Sequence, residues 1–176
     1  MTQLSQFSPE EIEVIVSLPY RAGLHVSYAE DEDGEKDDEL EMRALEACIR
    51  EIVKTQTGLT QEVADEILNR KDQWEKWSAG VFNIEPLCKT AVETVQAHAS
   101  SDEVKAYIRM TLSIARAVAE AYGEFGEEQP EQGFFGKIMG TIVERMNSDQ
   151  SSDPMNVSAA EDSAISRIAS AMKMSA

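Results

Sequence analysis

Ala29-Glu30-Asp31-Glu32-Asp33-Gly34-Glu35-Lys36-Asp37-Asp38-Glu39-Leu40-Glu41 places nine carboxylates between positions 30 and 41, with one lysine among them. The sequence on either side is helical in pattern, so the acids fall where one helix ends and the next begins. Gly34 supplies the left-handed or otherwise awkward backbone that such a reversal needs. The stretch therefore sets the fold as a helical hairpin. It also poses the functional question: a cation site, a surface for a basic partner, or a solvated acidic loop.

Working upstream, Ser8-Pro9-Glu10-Glu11 is a helix start, with Ser as N-cap, Pro in the first turn and Glu completing a capping box. Ile12, Ile15 and Val16 follow at helical spacing. Pro19, which lacks an N–H donor, predicts a kink or a restart. Beyond it, Tyr20, Leu24 and Tyr28 share one face, and His25 lies off that stripe.

Downstream, a helix is expected from about Asp37 to Thr57, stopped by Gly58, with Leu45, Cys48, Ile49, Ile52 and Val53 as its apolar stripe. Thr60 is the expected cap of the next helix, in which Val63, Ile67, Trp74 and Trp77 are packing residues and which Gly80 breaks. Asn83 is the expected cap of another, with Leu87, Cys88, Ala91, Val92, Val95 and Ala99 inward and His98 near its end. Ser100-Ser101-Asp102-Glu103 is a second capping box.

The helix from about Asp102 to Tyr122 is apolar except for a narrow line of Lys105, Arg109, Ser113, Arg116 and Glu120, the pattern of a central element. A further helix is expected over 131–146, carrying Phe134, Phe135, Ile138 and Ile142. The chain thus divides into a helical domain (1–146), a Ser, Asp, Asn and Pro linker (147–158) and an amphipathic tail helix (159–176). Ile165, Ile168 and Met172 of the tail are expected to bury against the bundle or an identical subunit, or else to recruit a partner protein.

The totals exclude several function classes. A formal net charge of −17 repels nucleic-acid backbone and anionic lipid and favours cations or basic partners. The N-terminal residues lack a signal peptide's basic segment and apolar run, and no stretch approaches the ~20 apolar residues of a membrane span. A cytoplasmic location is expected, in which Cys48 and Cys88, with no CxxC pair, read as buried reduced thiols. Two histidines without Cys/His ligand spacing argue against zinc. No GxxxxGK[ST] or GxGxxG loop, no local catalytic triad and no paired Glu-x-x-His motif is present, so the reading is binding rather than catalysis.

Hard cations such as calcium take roughly six to eight oxygen ligands. Glu30, Asp31, Asp33, Asp38 and Glu41 can offer them to calcium or magnesium. Glu41 continues the stripe of Leu45, Cys48 and Ile52 one turn towards the acidic loop, and Glu131 does the same ahead of Phe135, Ile138 and Ile142. The segment is not an EF-hand: with Gly34 at the sixth loop position, Ala29 and Leu40 fall where the first and twelfth ligands belong.

The acidic turn has an echo. Gly34-Glu35 corresponds to Gly123-Glu124, Asp38 and Glu39 to Glu127 and Glu128, and Leu45, Ile49 and Val53 to Phe134, Ile138 and Ile142. With one extra residue in the first copy, Leu24 and Tyr28 fall on Ile114 and Val118, and Ala29-Glu30 on Ala119-Glu120. The expected architecture is an all-α compact helical bundle with two pseudo-symmetric helix–acidic turn–helix hairpins.

Over roughly residues 10–146 this pattern resembles the TerB-like family, named for a tellurite-resistance protein, in which an Ala-x-x-Asp-Gly-type turn followed by acids occurs in both halves. The matching residues are Ala29 to Gly34 with Asp38, Glu39 and Glu41, then Ala119 to Gly123 with Glu127, Glu128 and Glu131; Tyr122 stands where the second turn would carry aspartate. The resemblance implies a cytoplasmic, non-enzymatic protein of a stress or metal response with an acidic cation-binding surface. Glu120, Glu128 and Glu131 are the second-copy ligand candidates. The alternative is an interaction module that recruits a partner through its acidic face or its C-terminal helix.

Overall fold

Ser8 opens helix α1, Pro9–Ser27, in the way its sequence dictates: its hydroxyl accepts the Glu11 N–H and the Glu11 carboxylate accepts the Ser8 N–H at 2.8 Å. The computed structural model describes residues 1–29, 35–124, 140 and 157–173, with side chains for all of these except 35–41 and 121–124. Helix α1 runs on through Pro19 rather than restarting there. Pro19 has no N–H for the carbonyl of Ile15, and the buried phenol of Tyr107 donates to that oxygen instead, at 2.8 Å.

Six more helices follow among the described residues: α2 (Glu35–Thr55), α3 (Leu59–Asn69), α4 (Trp74–Ser78), α5 (Glu85–His98), α6 (Ser101–Glu124) and α7 (Ala159–Ala171). No strand occurs among the described residues, so the chain is an all-α bundle. Two expected caps are displaced. Gly58, with φ of 68°, precedes α3, and Thr60 lies inside its first turn, its hydroxyl donating to the Thr57 carbonyl at 3.2 Å. Asn83 ends a short 3-10 turn, and Ile84 occupies the position before α5, whose first turn holds Pro86.

The capping box of Ser100 and Glu103 forms as the sequence predicts, with the Ser100 N–H 3.0 Å from the Glu103 carboxylate. It opens α6, which packs chiefly on α1 and α2 and also meets α3, α5 and α7. A helix surrounded in this way can be apolar over most of its circumference. Val104, Tyr107, Met110, Ile114, Ala117 and Val118 are all buried. Even part of its polar line is covered: Ser113 and Glu120 are buried, whereas Lys105 stays in water.

Gly23 marks where three helices meet. A β-carbon there would stand 2.5 Å from Cδ1 of Leu45 on α2 and 3.3–3.4 Å from Val118 and Ile114 on α6. Ile15 pairs with Tyr107 and Gly23 with Ile114 and Val118, so α1 and α6 run side by side in the same direction. Their C-terminal ends therefore share one end of the bundle.

Helix α7 lies on α1, α5 and α6 and buries Ala164, Ile165, Ile168 and Met172. Its start repeats the capping-box chemistry, with Ser158 and Glu161 exchanging hydrogen bonds. Trp77 is a core residue, fully buried, with its indole N–H on Glu13 at 2.8 Å, and Trp74 lies half-buried against Tyr20. The expected helix over 131–146 falls, apart from position 140, outside the described residues. The second hairpin of the expected pseudo-symmetric pair falls outside them with it.

Candidate functional site

Both acidic segments of the sequence begin at the end of the bundle shared by α1 and α6. Helix α1 stops at Ser27 with Tyr28 as its C-cap, and α2 starts at Glu35. Of the first candidate ligands, Glu30, Asp31 and Asp33 lie outside the described residues, and Asp38 and Glu41 stand in the first turns of α2. Positions 38 and 41 are three apart and so share a helix face. Position 41 also lies on the stripe of Leu45 and Cys48, both buried, two helical turns (~10.5 Å) from Cys48.

Of the second set, Glu128 and Glu131 lie outside the described residues. Glu120 is placed on α6, one turn before the helix ends, and is only 9% exposed. Burial pushes the Cys48 thiol far above its ordinary range, and the negative charges of Glu120 and Glu51 raise it further. The Glu120 carboxylate is thus within electrostatic reach of α2. It lies on a covered part of the narrow polar line read from the sequence.

A feature that sequence reasoning missed adjoins this end. Arg21, His25 and Tyr28 form one stripe on the last turns of α1, and the consecutive residues Gly80, Val81 and Phe82 cover it one for one. The Arg21 guanidinium packs against Gly80, where a β-carbon would stand 2.8 Å from its Nη1. His25 Nδ1 is 2.7 Å from the Val81 carbonyl, and since a carbonyl only accepts, that nitrogen carries the proton. The Tyr28 and Phe82 rings stack with centroids 5.9 Å apart and planes 22° from parallel.

His25 is consequently buried, at 7% exposure, although its position is off the Leu24 stripe. Tyr28, which shares a face with the buried Tyr20 and Leu24 by spacing, is 38% exposed. The turn over residues 80–84 covers one residue and leaves the other at its rim. No local pattern in the sequence around His25 announces a cover contributed from more than fifty positions away.

The described residues gather no three of His, Cys, Asp and Glu into a metal-holding group, at this end or elsewhere. Both thiols are buried, and burial raises that of Cys88 to about 12, so neither is a nucleophile at neutral pH. His98 lies at the surface, its ring 4.6 Å from that of Phe7 and its Nε2 3.2 Å from Glu11. No described helix is long and apolar enough to cross a membrane. The chain matches no protein-family model, no curated protein and no solved structure.

Proposed function

We propose that the protein is a non-enzymatic, cytosolic binding protein of TerB-like type that holds a divalent cation, calcium or magnesium, at the acidic end of its bundle. One observation carries the reading: α1 and α6 run in parallel, so the acidic segments that follow them in the sequence both start from the same end. Carboxylates brought to one end repel one another, and a hard cation relieves that repulsion while taking the six to eight oxygens it needs. Asp38 and Glu41, sharing one face of α2, supply ligands with Glu30, Asp31 and Asp33. Glu120, Glu128 and Glu131 contribute from the second segment.

The test is calorimetric titration of the protein with calcium and with magnesium at fixed ionic strength. Saturable binding that is lost when Asp31, Asp33 and Glu41 are replaced by their amides supports the reading. Heats that match in the wild type and the variant contradict it. A second reading, an acidic module that recruits a partner, is favoured by the exposed aromatic pair at the same end. Recruitment through the C-terminal helix is less well supported, because α7 spends its apolar face on its own bundle.

A further inference from the structure

We infer that the stacked Tyr28–Phe82 pair is the docking point for a cationic amphipathic segment of a partner protein. An apolar side chain of that segment covers Phe82, and its lysines or arginines face the acidic end of the bundle. This goes beyond the cation reading and does not depend on it, since the docking surface is aromatic and is tested without divalent metal.

Phe82 is 77% exposed, against 38% for Tyr28, and a ring so placed gains on leaving water. Scattered apolar side chains on a surface are ordinary; two stacked rings at one spot form a patch. The backbone on either side of Phe82 is also anchored. Val81 and Ile84, on either side of Phe82, are both buried, the Val81 carbonyl is fixed by His25, and Gly80 is seated on Arg21. An aromatic side chain has few rotatable bonds and, on an anchored backbone, loses little freedom on binding, the property of an interface anchor.

Charge selects the occupant. Tyr28 is followed after one residue by Glu30-Asp31-Glu32-Asp33, and the whole chain carries −17. A second copy would bring the same acids against each other, and an anionic lipid surface would be repelled in the same way. A cationic segment instead carries charge complementary to that of the chain, and complementary charge steers association and fixes partner choice. Arg21, the arginine of the stripe, lies about two helical turns (~10.5 Å) back from Tyr28, with its guanidinium against Gly80.

The experiment is fluorescence anisotropy of a labelled amphipathic peptide of leucine and lysine, in chelator and at fixed ionic strength. Its lysine-to-glutamine and lysine-to-glutamate counterparts serve as comparisons. The wild type should bind the lysine peptide at least about tenfold more tightly than either. Phe82→Ala should weaken that binding by about tenfold or more with an unchanged melting temperature, and Phe82→Tyr should keep it. Failure of the wild type to bind the lysine peptide, or equal binding by Phe82→Ala or of the glutamine peptide, overturns the proposal. Self-association, or capture by anionic vesicles, that is lost in Phe82→Ala would overturn it in favour of a second copy or a membrane.

Discussion

The phenol of Tyr107 on α6 donates to the carbonyl of Ile15 on α1, the acceptor that Pro19 leaves without its helical partner. Both groups are buried, so an unpaired carbonyl there would keep the full cost of its desolvation. Tyr107→Phe should therefore lower stability by about 1–3 kcal/mol although the ring is kept. In a Pro19→Ala background the helix regains an N–H for Ile15, and the same substitution should cost less. Urea denaturation of the four proteins in this cycle measures the coupling. Equal costs in both backgrounds would show that the bond does not replace the missing donor.

Gly23 is the point where α2 enters the groove between α1 and α6. Gly23→Ala places a β-carbon 2.5 Å from the Leu45 Cδ1 position, in a core where Leu45, Ile114 and Val118 are already buried. Overpacking of this kind should cost about 1–3 kcal/mol despite the better helix propensity of alanine. Combined with Leu45→Ala, the two changes should cost less than their sum. Additive losses would place the strain elsewhere.

Much of this fold is legible in local sequence, because caps and stripes are local chemistry. Ser8 with Glu11 and Ser100 with Glu103 open helices where they stand, Gly58 marks a helix boundary, and Ile165, Ile168 and Met172 turn inward. What the sequence misses depends on distant partners. Pro19 reads as a kink or a restart because the donor that takes up the Ile15 carbonyl lies 92 positions from it. His25 reads only as off the stripe of Leu24 and Tyr28, because its cover comes from Val81. Phe82 has no pattern at all; its exposure is decided by the burial of Val81 and Ile84. The candidate ligands between positions 30 and 34 and beyond 124 belong to the sequence reading alone.

Helix α7 should behave as part of the bundle. Ile168 is fully buried among elements from the first part of the chain, and Ile168→Ala should cost about 2–4 kcal/mol. The loss should appear in chemical denaturation followed by the buried Trp77 as well as in that followed by helicity. A Trp77 signal that does not shift would mean that α7 unfolds independently of the core.

Glu103 links stability to pH. Hydrogen bonds from the Thr2 backbone N–H, at 2.6 Å, and from Ser100 hold its carboxyl down to about 2, below the ordinary 4.5. The folded value lies below the unfolded one, so the stabilisation is complete above about pH 4.5 and is lost as pH falls towards 2. Glu103→Gln should be less stable than the wild type at pH 7, with the two urea midpoints converging on acidification through that window. A gap that is independent of pH would contradict the assignment.

The most direct measurement of the central claim is the thermal melt of the wild type and of the Asp31→Asn, Asp33→Asn, Glu41→Gln variant, with and without calcium or magnesium. Ionic strength must be held constant, because salt alone relaxes repulsion among the nine carboxylates. A cation at ~100 times its dissociation constant adds ~2.7 kcal/mol, about 5–10 °C for a chain of this size. The account predicts that shift in the wild type and not in the variant. Equal responses in the two proteins would contradict it and leave the acidic turn a solvated loop.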